Sequence, residues 1–187
     1  LPNIQMAMMK KQFCKRLIKL YTRRKKVEGT RQRFMKTYKK ICHNLEDTKE
    51  LAQRFAKLIT NGCFINLYGE IGAGKTAFVK LVADALDVKE RVTSPSFVIL
   101  NEYHTGSIPI YHFDLYRLEN EGIKTIYDEL REYSEGKQVT FVEWAEFNQN
   151  EAPFNHVEIN VTYNDDESRT YEFKSIGEDE IIEGLQK

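Results

Sequence analysis

From residue 35 onward the apolar positions switch repeatedly between periods of two and of about three and a half, which predicts strands interleaved with helices. TYKKI at 37–41 reads as a short strand. Asp47 and Glu50 have capping-box spacing ahead of Leu51, Phe55 and Leu58, predicting a helix that runs to Gly62. CFINLY is a buried-strand run, GEIGAGKT a loop, and Lys75 to Leu86 a second helix with Phe78, Leu81, Val82 and Leu86 on its apolar side. SFVILNEY and IPIYHFDL read as two strands joined by HTGS, close enough to form a hairpin. A helix over about 123–133, the strand VTFVEW, the strands HVEINVTY and TYEFKSI joined through the acidic turn 165–167, and a short acidic helix from about Glu178 complete the pattern. Such alternation predicts an α/β sandwich with antiparallel additions where hairpins occur.

The first 34 residues follow a different pattern. Phe13, Leu17, Leu20 and Tyr21 recur at helical spacing among basic residues, as in a basic amphipathic helix that could lie on RNA or an acidic membrane. All four methionines lie at or before Met35, and the segment from Met35 resembles a natural start, so residues 1–34 are expected to be an appended or poorly ordered extension. Residues 35–187 are expected to form the functional domain.

The 28 basic and 28 acidic residues cancel, but unevenly. Residues 1–34 carry eleven Lys or Arg against the single acid Glu28, leaving a net charge of minus ten for the rest. Hydrophobic residues make up 41%, enough for a buried core. The longest uncharged stretch, Leu58 to Gly69, is far shorter than the roughly 20 residues of a membrane-spanning helix. Three cysteines without a CxxC pair point to neither a disulfide framework nor a zinc site, and a reducing, cytoplasmic setting is expected.

The sharpest chemical signal is Gly69-Glu70-Ile71-Gly72-Ala73-Gly74-Lys75-Thr76, which fits GxxxxGK[ST] between a predicted strand and a predicted helix. Glycines let the main chain curl so that successive N–H groups face phosphate oxygens, and the helix from Lys75 through Ala77 presents its positive end to the same charge. Lys75 is expected to reach the β and γ phosphates and the Thr76 hydroxyl to ligate Mg2+. The fold expected is therefore that of a P-loop NTPase, a three-layer sandwich around a mixed, mostly parallel sheet. Asp114 and Glu143 end apolar strands, at the sheet edge where ligands bind in open α/β folds. Either acid suits the metal shell or the alignment of the attacking nucleophile. Thr93 and Ser94, on a loop stiffened by Pro95, suit a γ-phosphate sensor or mere punctuation before a strand. His112 matters only through its neighbours; the other histidines show no ligand spacing.

Taken together, GEIGAGKT at 69–76, TSPSF at 93–97, HFDLYR at 112–117 and VEWAE at 142–146 resemble the TsaE family, with all four motifs in family order. One departure stands at Ser96, where the family usually has Thr. The resemblance implies an ATP-binding and hydrolysing accessory of tRNA threonylcarbamoyladenosine formation, acting with TsaD-like and TsaB-like partners and meeting tRNA through their complex. It implies that Lys75, Asp114 and Glu143 are catalytic, and that Thr76, Glu143 and Asp114 lie around magnesium. Thr93 and Ser94 would form a switch loop, and Trp144 would adjoin the nucleotide. Two other readings remain: a small-molecule kinase in which Asp114 deprotonates a hydroxyl, and a nucleotide-gated binding module without significant hydrolysis.

Overall fold

The computed structural model describes residues 35–119, 130, 132–145 and 155–187. Its strands are β1 (Thr37–Cys42), β2 (Cys63–Tyr68), β3 (Leu100–Tyr103), β4 (Ile110–Asp114), β5 (Val139–Glu143), β6 (His156–Tyr163) and β7 (Arg169–Ile176). They form one sheet in the order β1-β7-β6-β2-β5-β4-β3. The central strands β6, β2, β5 and β4 run parallel, whereas β3, β7 and β1 add antiparallel margins. This is the mixed sheet with hairpin additions that the sequence pattern predicts.

Strand alternation divides the core in two. Ile65 and Leu67 of β2, Phe141 of β5, Ile159 of β6 and Phe173 of β7 face the helices α1 (Leu45–Leu58), α2 (Lys75–Ala85) and α3 (Asp179–Gln186). Phe55 of α1 and Phe78 of α2 meet Phe173 and Tyr171 there, with ring centroids 5.3 Å apart for Phe55–Phe173 and 5.0 Å for Phe78–Tyr171. Phe64, Phe113 and Val142 turn to the opposite face, where Leu130 and Ala145 join them. Most of the predicted helix over 123–133 lies outside the described residues, as does the reading of residues 1–34. No helix among the described residues is long and apolar enough to cross a membrane.

Three local expectations need correction. The cap of α1 is Asn44, not Asp47: the extended Asn44 accepts from Asp47 N–H at 2.9 Å, and the Asp47 carboxylate accepts from His43 N–H at 2.8 Å. These two bonds start the helix ahead of the predicted box. The helix also stops at Leu58, with Ile59 as its C-cap, short of Gly62. Finally, β3 begins only at Leu100. Val98 and Ile99 both donate their N–H to the Pro95 carbonyl, at 2.9 and 2.7 Å, which coils 95–99 into a turn and withdraws it from the sheet.

Candidate functional site

β2 ends at Tyr68 and delivers the chain into the loop 69–74, from which α2 starts. Of the three helices facing the sheet, α1 and α2 begin very differently. α1 has a side-chain cap and the acids Glu46 and Asp47 in its first turn; α2 has neither, and its first residue is Lys75. The first-turn N–H groups of α2 thus keep their positive potential for an external anion. Gly69 makes the loop possible: its φ is +134°, and a Cβ there would stand 2.3 Å from the Val161 carbonyl oxygen of β6. An open cleft of about 570 Å³ lies between loop residues 69–73 and Asn160–Tyr163.

Lys75 is buried, and its ammonium donates to the carbonyls of Gly69 at 2.6 Å and Glu70 at 3.1 Å. It lies 4.6 Å from the centre of the Trp144 ring. Thr76 Oγ1 donates to Glu143 Oε1 at 2.6 Å, joining the loop to the end of the adjacent parallel strand. His112 Nε2 lies 2.8 Å from the same carboxylate oxygen. Burial pushes the Glu143 carboxyl up, but the hydrogen bond and electrostatic pull of His112, the Thr76 hydroxyl and the Lys75 charge outweigh it and hold the group below the ordinary carboxylate range.

Asp114 stands opposite Glu143 in the β4–β5 register. Its contacts point elsewhere: it accepts from Ser94 Oγ at 3.1 Å and from Tyr116 N–H at 3.0 Å. The acids therefore divide, Glu143 to the phosphate loop and Asp114 to the 93–99 loop. Ser94 joins this arrangement, whereas Thr93 is tied to β3 through Asn101 and Tyr103. Ser96 keeps a hydroxyl within reach of Ser94. Trp144 adopts a left-handed backbone (φ +60°) and packs against Tyr116 with ring centroids 5.0 Å apart. Glu70, Ile71 and Ala77 are exposed on the loop and the first turn of α2.

Two participants escaped sequence reasoning. His112 was detectable, since alternation puts it on the same strand face as Asp114. Arg169, whose Nε donates to the Ala73 carbonyl at 3.2 Å and whose guanidinium lies 5.0 Å from the Tyr163 ring centre, had no local signal. Its position depends on the β6–β7 hairpin.

A parallel strand running into a glycine loop, a helix opened by Lys-Thr and an acid on the next parallel strand define a P-loop NTPase-like fold. The crystal structure of Bacillus subtilis YdiB superimposes with a TM-score of 0.70 at 32% identity, over 82% of this chain and 96% of that one. Residues 42–171 match the model of the family described as threonylcarbamoyl adenosine biosynthesis protein TsaE, and the chain belongs to that family. The TsaE protein of B. subtilis is 36% identical over 76% of this chain and 89% of its own length. That of Aquifex aeolicus is 41% identical over 57% and 75%.

Proposed function

We propose that the protein binds and hydrolyses ATP as a cytoplasmic accessory of tRNA threonylcarbamoyladenosine formation, supporting turnover of a TsaD-like transferase beside a TsaB-like scaffold. On this reading tRNA is met through that complex. The observation that carries the reading is the 2.6 Å hydrogen bond between Thr76 and Glu143, which joins the glycine loop to an acidic strand end. The donor set also suits magnesium, which keeps several waters and takes one or two carboxylates beside substrate phosphates. Thr76 and Glu143 would hold it, with Asp114 nearby, and when bound it would neutralise charge on the phosphates.

The chain's own residues do the rest. The start of α2 and the Lys75 ammonium bind the triphosphate, Lys75 exchanging its loop carbonyls for phosphate oxygens. Glu143 accepts the hydrogen bond that the Thr76 hydroxyl donates, which leaves that oxygen's lone pairs available. Asp114, steadied by Ser94 and Tyr116 N–H, aligns the attacking water. Hydrolysis should be slow alone, because Arg117 rests 4.4 Å from the Phe97 ring centre and Arg169 is bonded to Ala73. Ile71, Phe97 and Val98 are 75%, 81% and 62% exposed around this site, an apolar rim suited to a partner that completes it.

Arg169 also bears on the kinase reading. A kinase of this loop type would carry an arginine-bearing lid late in the chain; Arg169 is the one arginine beyond Arg131, and it braces the phosphate loop from the start of β7. Phosphate release with water as sole acceptor, lost in Lys75→Ala, tests the activity. Multiple turnover of threonylcarbamoyladenosine on tRNA with TsaD-like and TsaB-like proteins tests the role. ATP consumption only with a small-molecule acceptor, or tight binding without phosphate release, would refute it.

A further inference from the structure

His112 is fully buried on β4, and its chemistry is not used in the reading above. Its Nε2 lies 2.8 Å from Glu143 Oε1, while Nδ1 has no hydrogen-bond partner among the described residues. An ionised carboxylate offers only acceptors, so Nε2 must carry the hydrogen in this contact. A buried imidazole with a single polar anchor costs more than an apolar side chain of similar size would. Its one bond is therefore the feature that accounts for it.

We propose that His112 is a positioning residue whose Nε2–H fixes the Glu143 carboxylate, so that Glu143 accepts the Thr76 hydrogen and the Thr76 oxygen keeps its lone pairs for magnesium. This rests on the magnesium–ATP reading of the site. The register explains how it works: His112 pairs with Phe141, two residues before Glu143, on the sheet face toward α2. With Thr76 alone, Glu143 could rotate toward the nearby Lys75 ammonium, whose field it feels. A second donor at the same oxygen holds one arrangement. Partners that orient ligands in this way commonly alter metal affinity by about 10- to 100-fold when removed.

Two measurements on the full chain test the proposal. In the nucleotide-free protein, long-range 1H–15N NMR should show His112 Nε2 protonated, with a signal that moves in Glu143→Gln; a bare Nε2 overturns the proposal. With ADP held fixed, calorimetric magnesium titration of His112→Leu should show the half-saturating concentration raised about tenfold, with metal-free ADP affinity within about twofold of wild type. His112→Gln, which can place an amide N–H near the Nε2 position, should recover most of the loss. Equal losses in both variants, or a parallel fall in metal-free affinity, would make His112 a packing residue and sink the idea. A wild-type chain whose ADP binding ignores magnesium would instead refute the underlying site assignment, and the NMR result would still decide the hydrogen bond.

Discussion

Replacing Gly69 by Ala should damage the protein far more than the same change at Gly72, although both glycines sit in the phosphate loop with positive φ. At Gly69 the new methyl would meet the Val161 carbonyl oxygen at 2.3 Å, about 1 Å inside ordinary contact. That carbonyl belongs to β6, which is paired on both sides, with β2 and with β7, so it cannot easily withdraw. Forced overpacking of this kind costs about 1–3 kcal/mol, and a φ of +134° costs an L-residue about 1–3 kcal/mol more. Together they amount to about 4 kcal/mol. At Gly72, with φ +83°, the added atom meets nothing within 4 Å. The left-handed penalty of about 1–2 kcal/mol is partly offset by about 0.4–1 kcal/mol from a stiffer unfolded chain. At about 2–4 °C per kcal/mol for a protein of this size, Gly69→Ala should lower Tm by about 8–16 °C and Gly72→Ala, with a net cost of about 0.8 kcal/mol, by about 2–3 °C. Circular-dichroism melts of the nucleotide-free protein measure both without reference to function. Equal shifts within about 2 °C would refute the close approach of loop and β6 on which the site geometry depends.

Magnesium ATP should change the emission of Trp144, the single tryptophan, because Lys75 lies 4.6 Å from its ring and must move to reach phosphate. Lys75→Ala should abolish the change, and an unaltered response in that variant would separate the ring from the site. Asp114→Asn should lower kcat by more than tenfold while shifting ATP affinity by less than about threefold, since its contacts are to Ser94 and Tyr116 and not to the phosphate loop; loss of binding in place of turnover would contradict the alignment role. Glu143, held below its unfolded value near 4.3, contributes stability that is complete above that pH and is lost as pH falls through its folded value. Urea titrations from pH 7 to 3 should therefore show wild type losing stability more steeply below about pH 4.3 than Glu143→Gln, and parallel curves would mean the carboxyl is not held down.

What could be read along the chain were features carried by contiguous residues. GEIGAGKT declares itself because loop, helix start and lysine are neighbours in sequence, and Asp114 and Glu143 could be placed because each ends an apolar strand. Their division of labour could not. Which acid meets Thr76 depends on β5, and not β4, being paired with β2, a contact between segments some 70 residues apart. Arg169 reaches Ala73 only because β6 and β7 form a hairpin that returns to the loop. The missed cap at Asn44 and the shortened β3 were failures of another kind, in which a local turn outcompeted an acceptable pattern. In SFVILNEY the β-branched residues favour a strand, yet Ile99 stands at φ +71°.

That outlier and its counterpart at Trp144 occupy matching places. Ile99 immediately precedes β3 and accepts from Asp114 N–H at 2.9 Å; Trp144 immediately follows β5 and Glu143. A left-handed conformation costs a residue bearing a Cβ about 1–2 kcal/mol, and at a β-branched residue it is rarer still. Each sharp break re-aims what comes next: the chain before Ile99 folds over so that Ser94 meets Asp114, and the chain after Glu143 turns so that the Trp144 ring meets Lys75. Relaxing either residue into an extended conformation would lengthen a strand at the cost of one of these contacts. The strain at these two residues thus falls at strand margins beside the acids, where positioning a side chain matters more than extending the sheet.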